Sequence, residues 1–380
     1  QSPRARDLGV PFEGTPGARN AITDVAGVAV GHATIIRGEG RLVRGQGPVR
    51  TGVTAVFPRG KDSSGVFAGW FSQNGNGEMT GAAWIAESGQ LDGPVLITNT
   101  TSVGTVRDAY IAWQIERSRD AGLAWLLPVV AETYDGYLND IHGFHVKPEH
   151  VRAALDGAAA GPVPEGNVGG GTGMICFGFK GGIGNASRKA GAYTVGVLVQ
   201  CNCGRRPQLT IAGVPVGREI GGSGPYASTQ PGLLRIDGVP VGRLIPVEDV
   251  PGTRAAPTPP GGDGSIIVVV ATDAPLLPHQ LERLTRRATM GLARVGATSG
   301  NGSGDIFLAF STANADAARG KGVARVAMLA NEDMHPLFDA TVQATEEAIV
   351  NSMVAAETMT GADGHTVERL PHAKLREALK

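Results

Sequence analysis

The sequence predicts a layered α/β protein on three observations. Apolar runs of strand length are bounded by glycine and proline, longer segments carry apolar residues on one helical stripe, and the two kinds of segment follow one another along the chain. In order, residues 22–30 read as short strands with glycine turns, and Gly52–Phe57 as a further strand. Pro94–Thr100 reads as a buried strand, and 103–122 as a helix with Val106, Ala109, Tyr110, Trp113 and Ile115 inward, closed by Gly122. Leu126–Ala131 is another buried strand. A short helix over 148–157 opens on Pro148, and 192–201 is the clearest strand of the first half. Leu209–Ile220 recurs as Leu234–Ile245, and the Ala-Gly and Asp-Gly pairs predict duplicated hairpins; two copies are too few for a solenoid.

The strongest boundary follows. Residues 246–264 hold five prolines and four glycines, which predicts an exposed, mobile loop. It stops at Ser265, where Ile266–Ala271 reads as a strand buried on both faces. Pro278 opens a helix with Leu281, Leu284, Ala288, Leu292 and Val295 on one stripe, ended by Gly296. Asp305–Phe310 is a further strand, and a last helix is expected from His335 to Thr360, stopped by Gly361.

The 380 residues are 42% hydrophobic, enough for a large core, and length alone would allow two or so domains. A net charge of -1 argues against a nucleic-acid partner, and the lack of an 18-residue apolar run argues against a membrane span. Cys176, Cys201 and Cys203 are too few for a disulfide framework, with Cys201 and Cys203 too close to bridge easily. The chain opens at Gln1 without Met or leader, which suggests earlier processing or trimming and leaves the compartment open between cytoplasm and periplasm. Glycine is abundant, 57 of 380, without a collagen period.

Several motifs reduce to ordinary structure. Gly166–Gly173 has no phosphate-loop frame and reads as a turn that lets backbone pack closely. His142, His145 and His150 lie close in sequence, but Gly143 argues against the helix that would converge them on zinc, so structural or exposed roles are expected. Cys201 and Cys203 share a strand face without a second pair, and no metal site is assigned. Gly300–Gly304 lacks a nucleophile-elbow frame, which leaves a triad through Ser303 open, since triad partners need only meet in space.

The Gly264–Ser265 junction has a mechanism of its own. A serine hydroxyl can attack the preceding carbonyl and turn the amide into an ester that water then opens. Gly264 leaves the approach unhindered, the Pro/Gly loop supplies mobility, and the apolar strand holds the hydroxyl still. The freed α-amine of Ser265, of a kind that ordinarily titrates at about 7.7–8.0, would serve as general base beside its own hydroxyl. Composition alone favours an ordinary loop-to-strand transition at this point.

The wider sequence shifts that balance. Gly264–Pro275 and Gly302-Ser303-Gly304-Asp305, with Asn20–Val25, Gly31–Thr34, Asn74–Glu78, Glu132–Gly136, Leu138–Ile141, Glu165–Gly173 and Val199-Gln200, resemble the L-aminopeptidase/D-esterase-amidase and β-peptidyl aminopeptidase family over nearly the whole chain. The resemblance implies a single αββα four-layer sandwich over residues 1–380, like that of N-terminal-nucleophile hydrolases but with distinct strand connectivity. It implies self-cleavage at 264/265 into an α chain 1–264 and a β chain 265–380. By position, Ser265 matches the nucleophile, and Ser303 and Asp305 match a Ser-Gly-acidic pair that orients it and relays protons. Asn202 matches an oxyanion donor, Tyr134 a tyrosine near the oxyanion and substrate (with Tyr137 a weaker choice), and Glu132 a ligand for the substrate's ammonium group. No metal or organic cofactor is called for. The implied partners are small peptide, amide or ester substrates and further copies of the αβ unit as a homo-oligomer. This sequence departs from the family in placing cysteines on both sides of Asn202 and in a long segment before Ser265. The expected function is a self-processing serine aminopeptidase and amidase-esterase for α-L, D- or β-aminoacyl substrates. The alternatives are acyl transfer of the ornithine-acetyltransferase type, or a non-cleaving binding protein of the same fold.

Overall fold

The computed structural model describes residues 2–61, 65–117, 126–220, 235–236, 239–240, 264–315, 317 and 322–380. The first half contains β1 (Ala29–Arg37), β2 (Val49–Lys61), β3 (Val66–Ser72), α1 (Ala82–Ser88), β4 (Gln90–Leu91), β5 (Val95–Asn99), α2 (Val103–Arg117), β6 (Val129–Thr133) and α3 (Pro148–Asp156). After these come β7 (Ile175–Cys176), β8 (Phe179–Lys180), β9 (Gly182–Ala190), β10 (Tyr193–Cys203), α4 (Val216–Ile220), β11 (Arg235–Ile236) and β12 (Val239–Pro240). The last part holds β13 (Gly264–Thr272), α5 (Pro278–Arg294), β14 (Asp305–Ser311), α6 (His335–Val354), β15 (Met359–Thr360), β16 (Thr366–Val367) and α7 (His372–Ala378).

Two sheets form the middle of the molecule, one in the order β1-β2-β5-β6 and the other β4-β3-β14-β13-β10-β9. Each contains one parallel pair joined across a helix, β5–α2–β6 and β13–α5–β14, because parallel neighbours need a long crossover. Three apolar layers result. Val56, Val95, Ile97 and Ala131 of the first sheet meet Leu198, Ile267, Val269 and Leu308 of the second. Helices α2 and α3 cover the outer face of the first sheet through Val106, Tyr110, Trp113 and Val151. Helices α5 and α6 cover the second through Leu281, Leu284, Leu292 and Ile349. The αββα layering expected from the resemblance is the architecture observed, and among the described residues no helix is long and apolar enough to cross a membrane.

Burial of alternate β13 residues on opposite faces explains why that strand reads as a continuous apolar run. Ile266, Val268 and Val270 pack toward the helices, while Ile267, Val269 and Ala271 pack between the sheets. Some expectations are corrected. Residues 22–24 form a single 3-10 turn rather than a strand, because the Asp24 carboxylate accepts the N–H groups of Arg19 and Ala21 and holds the backbone curled. Ile115 is exposed, so the inward stripe of α2 is Val106, Tyr110 and Trp113. Helix α6 stops at Val354, and 359–360 pair instead with β16. In the first repeat copy Ala212 and Gly213, both at positive φ, make the tight turn, but Ile211 and Val214 bridge only once before α4 begins. The second copy pairs β11 with β12. The end of the 103–122 helix and positions 246–263 of the Pro/Gly segment lie outside the described residues.

One covalent link was not legible in the sequence. Cys176 on β7 is joined to Cys201 on β10, with a Cα–Cα distance of 5.7 Å, and Cys203 lies 3.8 Å from Cys201 sulfur to sulfur. The link spans a sequence separation of 25, a loop whose closure stabilises by about 3 kcal/mol. Denaturant unfolding with and without reductant should therefore differ by about that amount, and Cys176→Ala should show the reduced value in both conditions. Equal stabilities with and without reductant would contradict a formed bridge.

Candidate active site

The site is built where three strand ends meet. On β13, Ser265 stands directly opposite Asn202 of β10, and the parallel register of Ile266 with Asp305 sets Gly304 beside Ser265 on the other flank. The Gly304 N–H donates to the Ser265 hydroxyl oxygen at 3.1 Å. Ser265 is 7% exposed, so it is nearly withdrawn from water.

Gly264 is held at φ +71, in the left-handed region, and a Cβ there would stand 1.9 Å from the Asn202 carbonyl oxygen. Glycine is thus required by the backbone.

Asn202 is buried, and its orientation is set by two contacts. Its Oδ1 accepts the Ile175 N–H at 2.7 Å, and its Nδ2 donates to the Tyr134 carbonyl at 3.0 Å. An amide nitrogen carries two hydrogens, so the contact to Tyr134 uses one of the two. Alternation along β10 turns Asn202 to the face shared by Leu198, between the sheets, the face that Ser265 shares with Ile267.

Ser303 donates to Asp305 Oδ1 at 2.6 Å, and both are buried. The pair is fixed by Asn74, whose Oδ1 accepts the Asp305 N–H at 2.7 Å and whose amide donates to the Gly300 carbonyl, and by Asn76, whose amide donates to the Gly302 carbonyl. The contact to the Ser265 hydroxyl comes from the backbone N–H between Ser303 and Asp305, a donor that sequence reading did not single out. The Asn74–Glu78 motif was its nearest signal. Glycine is needed at 304 because a side chain there would strike the Asn76 carbonyl at 2.5 Å.

Glu132 is the last residue but one of β6 and is buried. Its carboxylate accepts the Glu78 N–H at 3.0 Å and the Thr100 hydroxyl. Burial pushes its carboxyl above the usual range, against those two donors, which favour the charged form. Glu132 Oε1 and Gly304 Cα lie 3.4 and 3.1 Å from where a Cβ on Gly77 would stand, so the carboxylate borders the Gly304 segment beside Ser265. Tyr134 contributes its carbonyl to Asn202, while its ring is half-exposed and its hydroxyl lies over Gly136, where a Cβ would come within 2.3 Å of it. Tyr137 is engaged elsewhere, stacked on His365 at 4.2 Å between ring centroids.

The glycine-rich 166–173 turn is a close-packing device beside this site. A Cβ on Gly170 would meet Gln200 Oε1 at 2.2 Å, and one on Gly171 would meet the Ile183 nitrogen at 2.4 Å. His142, His145 and His150 do not converge: His145 is bound to Asp140 at 2.8 Å and to Arg37 at 2.7 Å, and His150 accepts the Lys147 N–H at the start of α3. Among the described residues, Cys176, Cys201 and Cys203 form the one such group close enough to share an ion, and two of them are bonded to each other.

A serine on a central strand, facing the space between two sheets, with a glycine before it and amide groups on both flanks, within an αββα sandwich, is the arrangement of the N-terminal-nucleophile hydrolase fold. The profile of peptidase family S58 matches residues 20–367, and the chain belongs to that family. Over 390 aligned positions it is 57% identical to the β-peptidyl aminopeptidase BapA of Sphingosinicella microcystinivorans, covering all of this chain and 92% of the relative. The structure superposes on the L-aminopeptidase D-Ala-esterase/amidase of Ochrobactrum anthropi with a TM-score of 0.85 at 46% identity, covering 99% of this chain and 98% of that one. A Burkholderia sp. β-aminopeptidase matches with a TM-score of 0.82 at 45% identity, covering 99% and 98%. The protein is thus an aminopeptidase of the amidase-esterase kind.

Proposed function

We propose that this chain cuts itself between Gly264 and Ser265 and then works as a serine aminopeptidase through an acyl-enzyme on Ser265. The observation that carries this reading is the juxtaposition of a left-handed Gly264 carbonyl, the Ser265 hydroxyl and amide donors on the two flanking strands. In the first reaction the hydroxyl oxygen adds to the Gly264 carbonyl carbon, the C–N bond breaks, and the hydroxyl proton ends on the released nitrogen. Water then hydrolyses the ester, leaving a carboxylate on Gly264 and a free amine on Ser265.

That amine takes the hydroxyl proton when Ser265 next attacks the carbonyl of a substrate's N-terminal residue, and passes it to the leaving amine or alcohol. The second Nδ2 hydrogen of Asn202 meets the oxyanion, with Tyr134 bordering it. The Ser303–Asp305 pair holds the Gly304 N–H on the hydroxyl and stands ready to relay protons. Glu132, buried beside Gly77 and Gly304, receives the substrate's ammonium, and this charge-assisted pairing favours substrates with a free amino terminus.

The relatives support a finer reading in which β-aminoacyl compounds are substrates, since the 57% identical one is named a β-peptidyl aminopeptidase. Hydrolysis of β-alanyl and L-alanyl p-nitroanilides, with N-acetyl-β-alanyl p-nitroanilide as control, tests it. The β-alanyl compound should be cleaved faster and its acetylated form not at all. Faster cleavage of the L-alanyl compound would overturn the substrate class, and cleavage of the acetylated one the role of Glu132. Assembly of cleaved units into a homo-oligomer is part of the same reading and is read by light scattering.

A further inference from the structure

Lys180, at the end of β8, is wholly buried and takes no part in the steps above. Its ammonium is held by backbone carbonyls, those of Met174 at 2.7 Å, Gly181 at 2.8 Å and Gly171 at 3.5 Å. The first contact is the informative one. The Met174 carbonyl and the Ile175 N–H belong to one peptide group, joined by resonance. That carbonyl also accepts the Gly181 N–H at 3.0 Å, and the N–H of the same group donates to Asn202 Oδ1 at 2.7 Å. An ammonium on the carbonyl draws electron density from the nitrogen and makes its hydrogen a stronger donor. Asn202 repeats the step within its own amide: density drawn to Oδ1 leaves the Nδ2 hydrogens more positive.

We propose that Lys180 is a positioning residue that acts through the Met174–Ile175 peptide on the Asn202 amide, fixing which way it faces and strengthening it as a donor to the oxyanion. The facing matters because a flipped amide would turn lone pairs toward the developing negative charge. With Oδ1 committed to Ile175, the amino end is turned to the Tyr134 carbonyl, and the residue stands opposite Ser265 in the strand register. The cost of the arrangement is a desolvated cation: burial pushes the pKa of the Lys180 ammonium down to about 7, opposed by the field of Asp135. Asp135 is held by Asn99 at 3.1 Å and Asn139 at 2.9 Å, and it directly follows the residue whose carbonyl binds Asn202. The disulfide runs parallel to this relay, tying Cys176, next to Ile175, to Cys201, next to Asn202.

The inference rests on Asn202 being the oxyanion donor, and the experiment separates the two. Lys180→Met, Asn202→Ala and the double variant are assayed on material whose chain is shown by mass to be cut. Lys180→Met should lower kcat about tenfold, less than outright removal of an oxyanion donor, with KM within about twofold. Added to Asn202→Ala it should lower kcat no further, because the relay then ends on nothing. Full activity of Asn202→Ala would sink the underlying reading. A large loss from Asn202→Ala with an undiminished further loss from Lys180→Met would sink only the relay, as would an effect of Lys180→Met confined to KM. If Lys180→Met does not accumulate folded, Lys180→Gln, which keeps a neutral donor, is put through the same cycle. An intermediate kcat loss that vanishes without Asn202 supports the relay, and an unchanged kcat refutes it.

Discussion

Replacing Ser265 by alanine should leave one chain of 39.0 kDa where the unaltered protein yields two. Apportioned over 264 and 116 of 380 residues, those two are about 27 and 12 kDa. The alanine chain should fold, since the hydroxyl accepts one N–H, that of Gly304, and losing a single hydrogen bond costs about 1 kcal/mol. It should have no aminopeptidase activity, because both the attacking oxygen and the amine that activates it are gone. Intact-mass measurement decides the first point and turnover of an aminoacyl anilide the second. A cut at 264/265 in the alanine chain, or turnover by uncut material, would contradict the proposed mechanism.

Asn202→Ala should lower turnover by roughly 10²–10³, the usual effect of losing one oxyanion donor. The same change should slow self-cleavage, because the Gly264 carbonyl passes through an oxyanion of the same kind in nearly the same place. Precursor should therefore accumulate in the variant, and a time course by mass would show it. Removing the side chain also takes the Asn202 amide away from the Ile175 N–H and the Tyr134 carbonyl. Thermal melting separates that structural cost, about 1–3 kcal/mol for a buried unpaired group, from the catalytic one. Asn202→Asp keeps the acceptor for Ile175 but sets a second oxygen where the donor stood, so it should be at least as slow. Unchanged kinetics in either variant would remove Asn202 from the mechanism.

The parts of this protein that were legible in the sequence are those whose signal is local. Strand β13 declares itself through consecutive apolar residues, and α5 through a stripe from Leu281 to Leu292 closed by Gly296, which sits at φ +93. Ser265, Asn202, Ser303, Asp305 and Glu132 stand out through motif resemblance; strand register sets Asn202 and the Ser303–Asp305 segment on either side of Ser265, while Glu132 reaches that segment from the other sheet by the packing of the two sheets. Residues 22–24 mislead because the β-branched Ile22 and Thr23 suit a strand, while Asp24, a side chain capturing backbone N–H groups, curls them. The glycines at 264 and 304 are visible as letters, but the carbonyls of Asn202 and Asn76 that forbid a side chain there belong to distant segments.

By itself the sequence determined the long helices, the strands that carry Ser265 and Asn202, and the family resemblance, because periodicity and motif need only neighbours in the chain, while shorter or less apolar elements such as β3, α1 and β9 carried no such signal. The tertiary structure alone decided that Cys176 meets Cys201, that a backbone N–H at Gly304 reaches the Ser265 hydroxyl, and that a buried ammonium sits one peptide away from the Asn202 amide. Those contacts depend on which strand lies beside which and in what register. That choice is made by the packing of whole sheets against one another and leaves no mark on a short stretch of residues.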